Sequence, residues 1–194
     1  MVKIGITGGV AAGKSTVSAY LRKKGFLVIC ADEVSRELTK KGGDAIAKIQ
    51  KEFGKSYFDE EGNLIRKKLS DLIFSSEEAR IRLNSIMHPL ILRDIEKQLS
   101  KTSENVVFID MPLLYEIGLD KAVDKVWLVS GDMDIRKERL IKRDKITKEK
   151  ALNIIKSQLS EEAKKSRADV IIDNSGDIKN TYLRLDGLIR DLNI

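Results

Sequence analysis

The stretch VKIGITGGVAAGKST, residues 2–16, decides the fold. Val2–Thr7 is a short apolar run rich in β-branched residues, the pattern of a strand buried on both faces of a parallel sheet. A glycine-rich turn follows at once. From Ser15 the spacing becomes helical, with Val17, Tyr20 and Leu21 on one face, Arg22, Lys23 and Lys24 closing the end, and Gly25 the expected stop. A second strand at Phe26–Cys30 completes a strand–helix–strand unit. Between the first strand and the helix, Gly8–Ser15 fits G-x-x-x-x-G-K-[ST] without mismatch. Such a loop cradles phosphate: glycine lets the backbone approach, and N–H groups of the loop and helix N-terminus point at the anion. Gly9, Val10, Ala11, Ala12, Gly13, Lys14, Ser15 and Thr16 are the expected nucleotide-binding set. Lys14 can bridge the terminal phosphates, and the Ser15 hydroxyl can ligate Mg²⁺, which prefers oxygen and keeps several waters.

Outward from this stretch, the strand signature returns at Val106–Asp110, Val126–Val129 and Val170–Ile172. Five short apolar strands separated by helical segments imply an α/β class fold with a five-stranded parallel sheet. The long gap between the second and third strands holds helical stretches at Glu33–Lys40, Ala45–Phe53, Arg66–Phe74, Glu77–Met87 and Leu90–Leu99, with a polar turn, DEEGN (59–63), among them. It reads as a helical insertion suited to hold a substrate. A second helical excursion, Asp134–Arg167, is rich in Lys, Arg and Glu, and a last helix, Ile178–Leu192, is expected to pack on the sheet. The reading is one domain: a core of about 1–32, 103–133 and 168–194, the helical insertion of about 33–102, and the second excursion of about 134–167.

A length of 194 residues suits one domain with an insertion and is too short for two ordinary domains with a linker. One cysteine, Cys30, and one histidine, His88, build neither a disulfide scaffold nor a zinc site. No apolar run approaches the ~18 residues of a membrane span, and the N-terminal residues lack a signal peptide's pattern, so a soluble, cytoplasmic chain is expected. The net charge of +6 points to anionic partners without separating nucleic acid from small phosphates.

Asp110, at the end of the third strand, stands where a carboxylate holds Mg²⁺ through water; it also suits an ordinary strand-end carboxylate that caps a turn. A guanine-reading N/T-K-x-D segment is missing, and the D-x-x-G at Asp59–Gly62 lies in a polar turn of the insertion, where no γ-phosphate sensor belongs. A small kinase fits better, with cations brought over ATP from Arg136, Arg139 and Arg143; Arg139 and Arg143 lie four apart, on one helical face. A hydroxyl acceptor profits from a base, worth ~10²–10⁴ in rate. Carboxyl ends of adjacent parallel strands face one crevice, so Asp32, two residues beyond the second strand, is expected to look toward the phosphate loop and fits that role. It also fits an N-cap, because helical sequence starts at Glu33.

Taken together these motifs resemble the dephospho-CoA kinase family, P-loop kinases with a helical acceptor insertion and a helical lid. The resemblance covers nearly the whole chain: ITGGVAAGKST (6–16), ADEVSR (31–36), LIRKKLSDLIF (64–74), IMHPLI (86–91), PLLYE (112–116), RLIKRD (139–144) and DVIIDNSG (169–176). It implies transfer of the ATP γ-phosphate to the ribose 3′-hydroxyl of dephospho-CoA, with ATP and dephospho-CoA as partners and neither nucleic acid nor membrane. It further implies that Asp32 is the base, acting with Lys14 and Arg139. Arg36, Arg66 and His88 become acceptor contacts, and Pro112 and Leu113 line the crevice. Arg139 and Arg143 become lid arginines, and Asn174, Ser175 and Gly176 form the loop near the adenine. His88, before Pro89, also suits a helix break with a buried imidazole. The chain departs from the family pattern at Cys30, where the family usually has an acid, and at Ile154, where its lids often carry arginine. The alternatives are a kinase of another small hydroxyl metabolite, shikimate-like or a nucleoside, and a non-catalytic nucleotide switch. A shikimate kinase calls for G-G-G, and this chain has only Gly42–Gly43.

Overall fold

The five apolar runs pair as parallel strands in the computed structural model, which describes residues 1–192. They are β1 (Val2–Gly8), β2 (Leu27–Cys30), β3 (Val106–Asp110), β4 (Lys125–Ser130) and β5 (Val170–Asp173), in the order β2-β3-β1-β4-β5. The middle strand is the one that leads into the phosphate loop. β1 lies between β3 and β4, with Ile6 in register with Asp110 and Gly8 in register with Val129. Its central position explains its sequence: Ile4–Gly8 are buried, so both faces had to be apolar or small. Gly8 is required, because a Cβ there would sit 2.5 Å from the Val129 carbonyl oxygen.

The chain falls into two compact units: Met1–Ile29 with the segment from Ser103 onward, and Cys30–Thr102. The first contains α1 (Lys14–Lys23), α6 (Met133–Asp144), α7 (Lys148–Lys156), α8 (Glu161–Lys165) and α9 (Ile178–Asp191). One side of its sheet is closed by Val17 and Leu21 of α1 and Leu185 and Leu188 of α9, packed with Ile4, Ile6, Phe108, Trp127, Val129 and Ile172. Tyr20 and Tyr182 stack at 4.2 Å between ring centres and join the two helices. Truncating a fully buried ring such as Trp127 in this layer costs about 3–5 kcal/mol. α1 stops as expected: Lys24 caps it and Gly25 follows in the left-handed region, φ 93°.

The second unit is helical: α2 (Ala31–Leu38), α3 (Ile46–Phe53), α4 (Arg66–Ser75) and α5 (Glu77–Leu99), around Val34, Leu38, Ile49, Leu69, Met87, Leu90 and Ile95. The DEEGN turn is a folded device of this unit. Asp59 Oδ1 accepts from Glu61 N at 3.0 Å and from Asn63 N at 2.7 Å, closing the loop that lets Phe58 bridge Leu64.

Three local expectations are corrected. β3 separates β2 from β1, so Asp110, not the end of β2, is the strand-end carboxylate beside β1. α2 begins at Ala31, two residues before Glu33, so Cys30 is its N-cap and Asp32 lies inside the first turn. Pro89 does not break the helix: α5 runs through it. Proline costs about 3 kcal/mol in a helix interior. Burial of Met87, Leu90 and Ile95 on one face of the same helix outweighs that, and Pro89 itself is exposed.

Candidate active site

The loop after β1 is shaped by a few close contacts. Gly13 adopts φ 97°, and a Cβ on it would lie 1.9 Å from Asn174 Nδ2, so only glycine serves there. Asn174, which follows β5, is 3% exposed and fully engaged. Its Nδ2 donates to Ala12 O at 2.8 Å, its Oδ1 accepts from Thr181 Oγ1 at 3.1 Å, and its carbonyl accepts from Arg139 Nη2 at 2.9 Å. That side chain therefore shapes the phosphate loop. Ser175 Oγ donates to Asp173 Oδ1 at 2.6 Å and accepts from Asp132 N at 2.8 Å, while Gly176 is exposed.

Lys14, in the first turn of α1, forms an ion pair with Asp110 Oδ1, and Ser18 Oγ donates to Asp110 Oδ2 at 2.6 Å. Asp110 is 4% exposed, so its charge is stabilised by these two partners. Ser18 lies one helical turn beyond Lys14 on the same face; that i, i+4 spacing was a readable signal for its role. The Ser15 hydroxyl is exposed and has no hydrogen-bond partner among the described residues.

The arginines of α6 separate into three environments. Arg139 reaches the loop: its Nη1 lies 3.8 Å from where a Cβ of Gly13 would stand, and it is a buried donor without a partner. Arg143 lies one turn on. It is exposed and forks onto Asp144, Nε to Oδ1 at 2.7 Å and Nη2 to Oδ2 at 2.9 Å, which holds its guanidinium pKa above the ordinary value. Arg136 is buried against Gly9 of the loop, bonded to Val10 O and Glu161. Ile154, at a position where the sequence left a lid cation open, packs beside Leu140, Ala151 and Ile155.

In the segment after β3, Pro112 is half-buried and its carbonyl accepts from Thr7 Oγ1 at 3.2 Å; Leu113 is exposed. The rest of PLLYE is structural. Burial pushes the Tyr115 phenol up to about 12, with the Arg167 guanidinium 4.4 Å over its ring, and Glu116 Oε1 pairs with the fully buried Lys164 at 2.7 Å.

The helical unit carries the remaining expected residues. Asp32 is exposed and makes no hydrogen bond or ion pair among the described residues. Arg36 is exposed at the end of α2, and Arg66, the first residue of α4, donates from Nη2 to the Arg36 carbonyl at 3.2 Å. Arg66 also edges a cavity of about 140 Å³ whose wall includes Ile49, Leu69 and Met87. His88 is half-buried on α5, and desolvation holds its imidazole below the ordinary 6.5. The native state therefore keeps it neutral while the unfolded chain protonates below 6.5, so stability is lost as pH falls through that value toward the native pKa. His88→Gln is expected to flatten the fall in thermal midpoint between about pH 7 and about pH 5. An unchanged slope in melts at the two pH values would remove His88 as a contributor.

Phosphate-loop geometry of this kind is common to many enzymes, and the comparisons with known proteins narrow it. The model of the family described as dephospho-CoA kinase matches residues 2–180. The chain belongs to the dephospho-CoA kinase family. It is 40% identical over 183 residues to the dephospho-CoA kinase of Fusobacterium nucleatum, covering 94% of each chain. To that of Bacillus licheniformis it is 42% identical over 189 residues, covering 96% of this chain and 94% of the other. The solved dephospho-CoA kinase from Campylobacter jejuni superposes with TM-score 0.65 at 25% identity, over 97% of this chain and 96% of that one. The chain is thus a kinase with a P-loop core. No helix among the described residues is long and apolar enough to cross a membrane.

Proposed function

We propose that this kinase transfers the γ-phosphate of ATP to the ribose 3′-hydroxyl of dephospho-CoA, giving coenzyme A and ADP in the cytoplasm. Within a chain of this family, the observation that carries the reading is the unpartnered, buried Nη1 of Arg139 close to Gly13 of the loop. A buried cationic donor left without a partner is costly, and a bound phosphate supplies the missing acceptor.

Phosphoryl transfer asks mainly for positioning and charge neutralisation. Lys14 pairs with Asp110 and offers its ammonium to the β- and γ-phosphates, while Arg139 meets charge developing on the transferred group. Mg²⁺ fits the donors present: Ser15 Oγ is unengaged, Asp110 supplies a carboxylate that can act through water, and Mg²⁺ needs only one or two protein oxygens. When bound, it neutralises phosphate charge. Asp32 accepts the proton of the 3′-hydroxyl as that oxygen bonds to the γ-phosphorus and the bond to ADP breaks. Arg36, Arg66, His88, Pro112 and Leu113 are assigned to the acceptor, Arg143 to the lid, and the backbone of Ser175 and Gly176 to the adenine. On this reading the site-local part of the positive charge serves the phosphates of ATP and of the acceptor rather than nucleic acid.

A coupled ADP-release assay with dephospho-CoA, shikimate and a nucleoside offered in parallel tests the proposal. Turnover is expected with dephospho-CoA, with the new phosphate on the 3′-oxygen by ³¹P NMR. Equal turnover on another hydroxyl, or no acceptor-dependent turnover at all, would sink it.

A further inference from the structure

Val10, in the middle of the phosphate loop, is held from both sides by residues of the α6–α8 segment. Its carbonyl accepts from Arg136 Nε at 3.0 Å, and its N–H donates to Gln158 Oε1 at 2.8 Å. Arg136 is 4% exposed, and its Nη1 donates to Glu161 Oε2 at 2.8 Å, so the guanidinium is committed to these partners. It lies flat against the loop: a Cβ on Gly9 would be 2.1 Å from Arg136 Nη2. The side chains of Val10 and Ala11 pack on the same segment, against Leu140, Ala151 and Ile155.

The bonds constrain the direction of the loop's donors. In a trans peptide the carbonyl of one residue and the N–H of the next point in opposite directions. Holding Val10 O on Arg136 therefore turns the Ala11 N–H the other way, and holding Ala12 O on Asn174 does the same for the Gly13 N–H. The Ala12 N–H is used inside the loop, on Gly9 O at 3.0 Å. Ala11 has φ 59°, a left-handed conformation that a residue with a Cβ keeps only where its surroundings impose it. Arg136, Gln158 and the apolar contacts of Val10 and Ala11 are such surroundings.

We infer that Arg136 and Gln158 are positioning residues that brace the phosphate loop in its anion-binding shape, with Glu161 holding Arg136 in place. Phosphate binding at the loop and the ordering of the α6–α8 segment are then coupled through Val10. The inference rests on the loop binding ATP, and it is independent of which hydroxyl receives the phosphate.

Calorimetric titration with ADP, which needs no acceptor, is the direct test. Arg136→Met/Glu161→Met removes both charges together, so no buried carboxylate is stranded, and Gln158→Met touches no charge. ADP is expected to bind about tenfold more weakly to the double variant and about threefold more weakly to Gln158→Met. In steady-state rates the KM for ATP rises in step while the KM for dephospho-CoA keeps its value, a split that a general loss of structure does not produce. ADP affinity within experimental error of the parent in folded Gln158→Met overturns the inference, whether or not the double variant folds. Equal rises in both KM values overturn it as well.

Discussion

Lys14→Ala is expected to lower acceptor-dependent ATP turnover by about 10³-fold, the scale of removing one charged stabiliser of a transition state. The same change has a second consequence, set by Asp110. That carboxylate is 4% exposed and has Lys14 on one oxygen and Ser18 on the other. Without Lys14 it is a buried charge with one hydroxyl partner, a loss of about 3–5 kcal/mol for a fully buried pair. Lys14 keeps 15% of its side chain exposed, so the lower end applies, about a 6–12 °C fall in midpoint for a chain of this size. The two effects come apart in Lys14→Ala/Asp110→Asn. Neutralising the stranded carboxylate is expected to restore most of the midpoint and none of the turnover. Thermal melts and ADP release on the three proteins decide the matter. A folded Lys14→Ala protein with more than about a tenth of parental turnover would contradict the role given to Lys14.

Asp32→Asn carries the second large effect, a fall in kcat of about 10²-fold or more with the KM for ATP unchanged. The structure removes the main competing account. Cys30, not Asp32, occupies the N-cap of α2, and the Asp32 side chain has no hydrogen-bond partner among the described residues. Its remaining structural contribution is a carboxylate in the first helical turn, about 0.3–1 kcal/mol from the helix dipole. A stability change within that range beside a large loss of kcat is the expected pair of results. The reverse pair, near-parental turnover with a shifted midpoint, would reduce Asp32 to a helix-end charge.

Asp32 also shows where sequence reading stops. Its candidacy came from following a strand, and that placement is correct, but the strand order is not a local property. β3 pairs with β1, and β2 lies one strand further out. Pro89 is a similar case: the proline rule is local and real, yet α5 continues because the packing of its other residues outweighs one lost hydrogen bond. For the arginines, spacing could say only that Arg139 and Arg143 share a helical face. Arg139 reaches the loop, whereas Arg143 meets the neighbouring Asp144 and stays in solvent. Gln158 carried no signal by itself, since its partner is the Val10 N–H, far away in sequence.

The sequence by itself determined the strand–loop–helix at residues 2–24, the five strands, the helical content and the family, because these depend on side-chain periodicity and on contiguous motifs. Tertiary structure alone decided which strand stands beside β1, which arginine faces the phosphate loop, and how Val10 is held. The physical reason is range. A helix or strand is selected by neighbours within a few residues, whereas a buried polar group is satisfied by whichever partner the packed chain brings within about 3 Å.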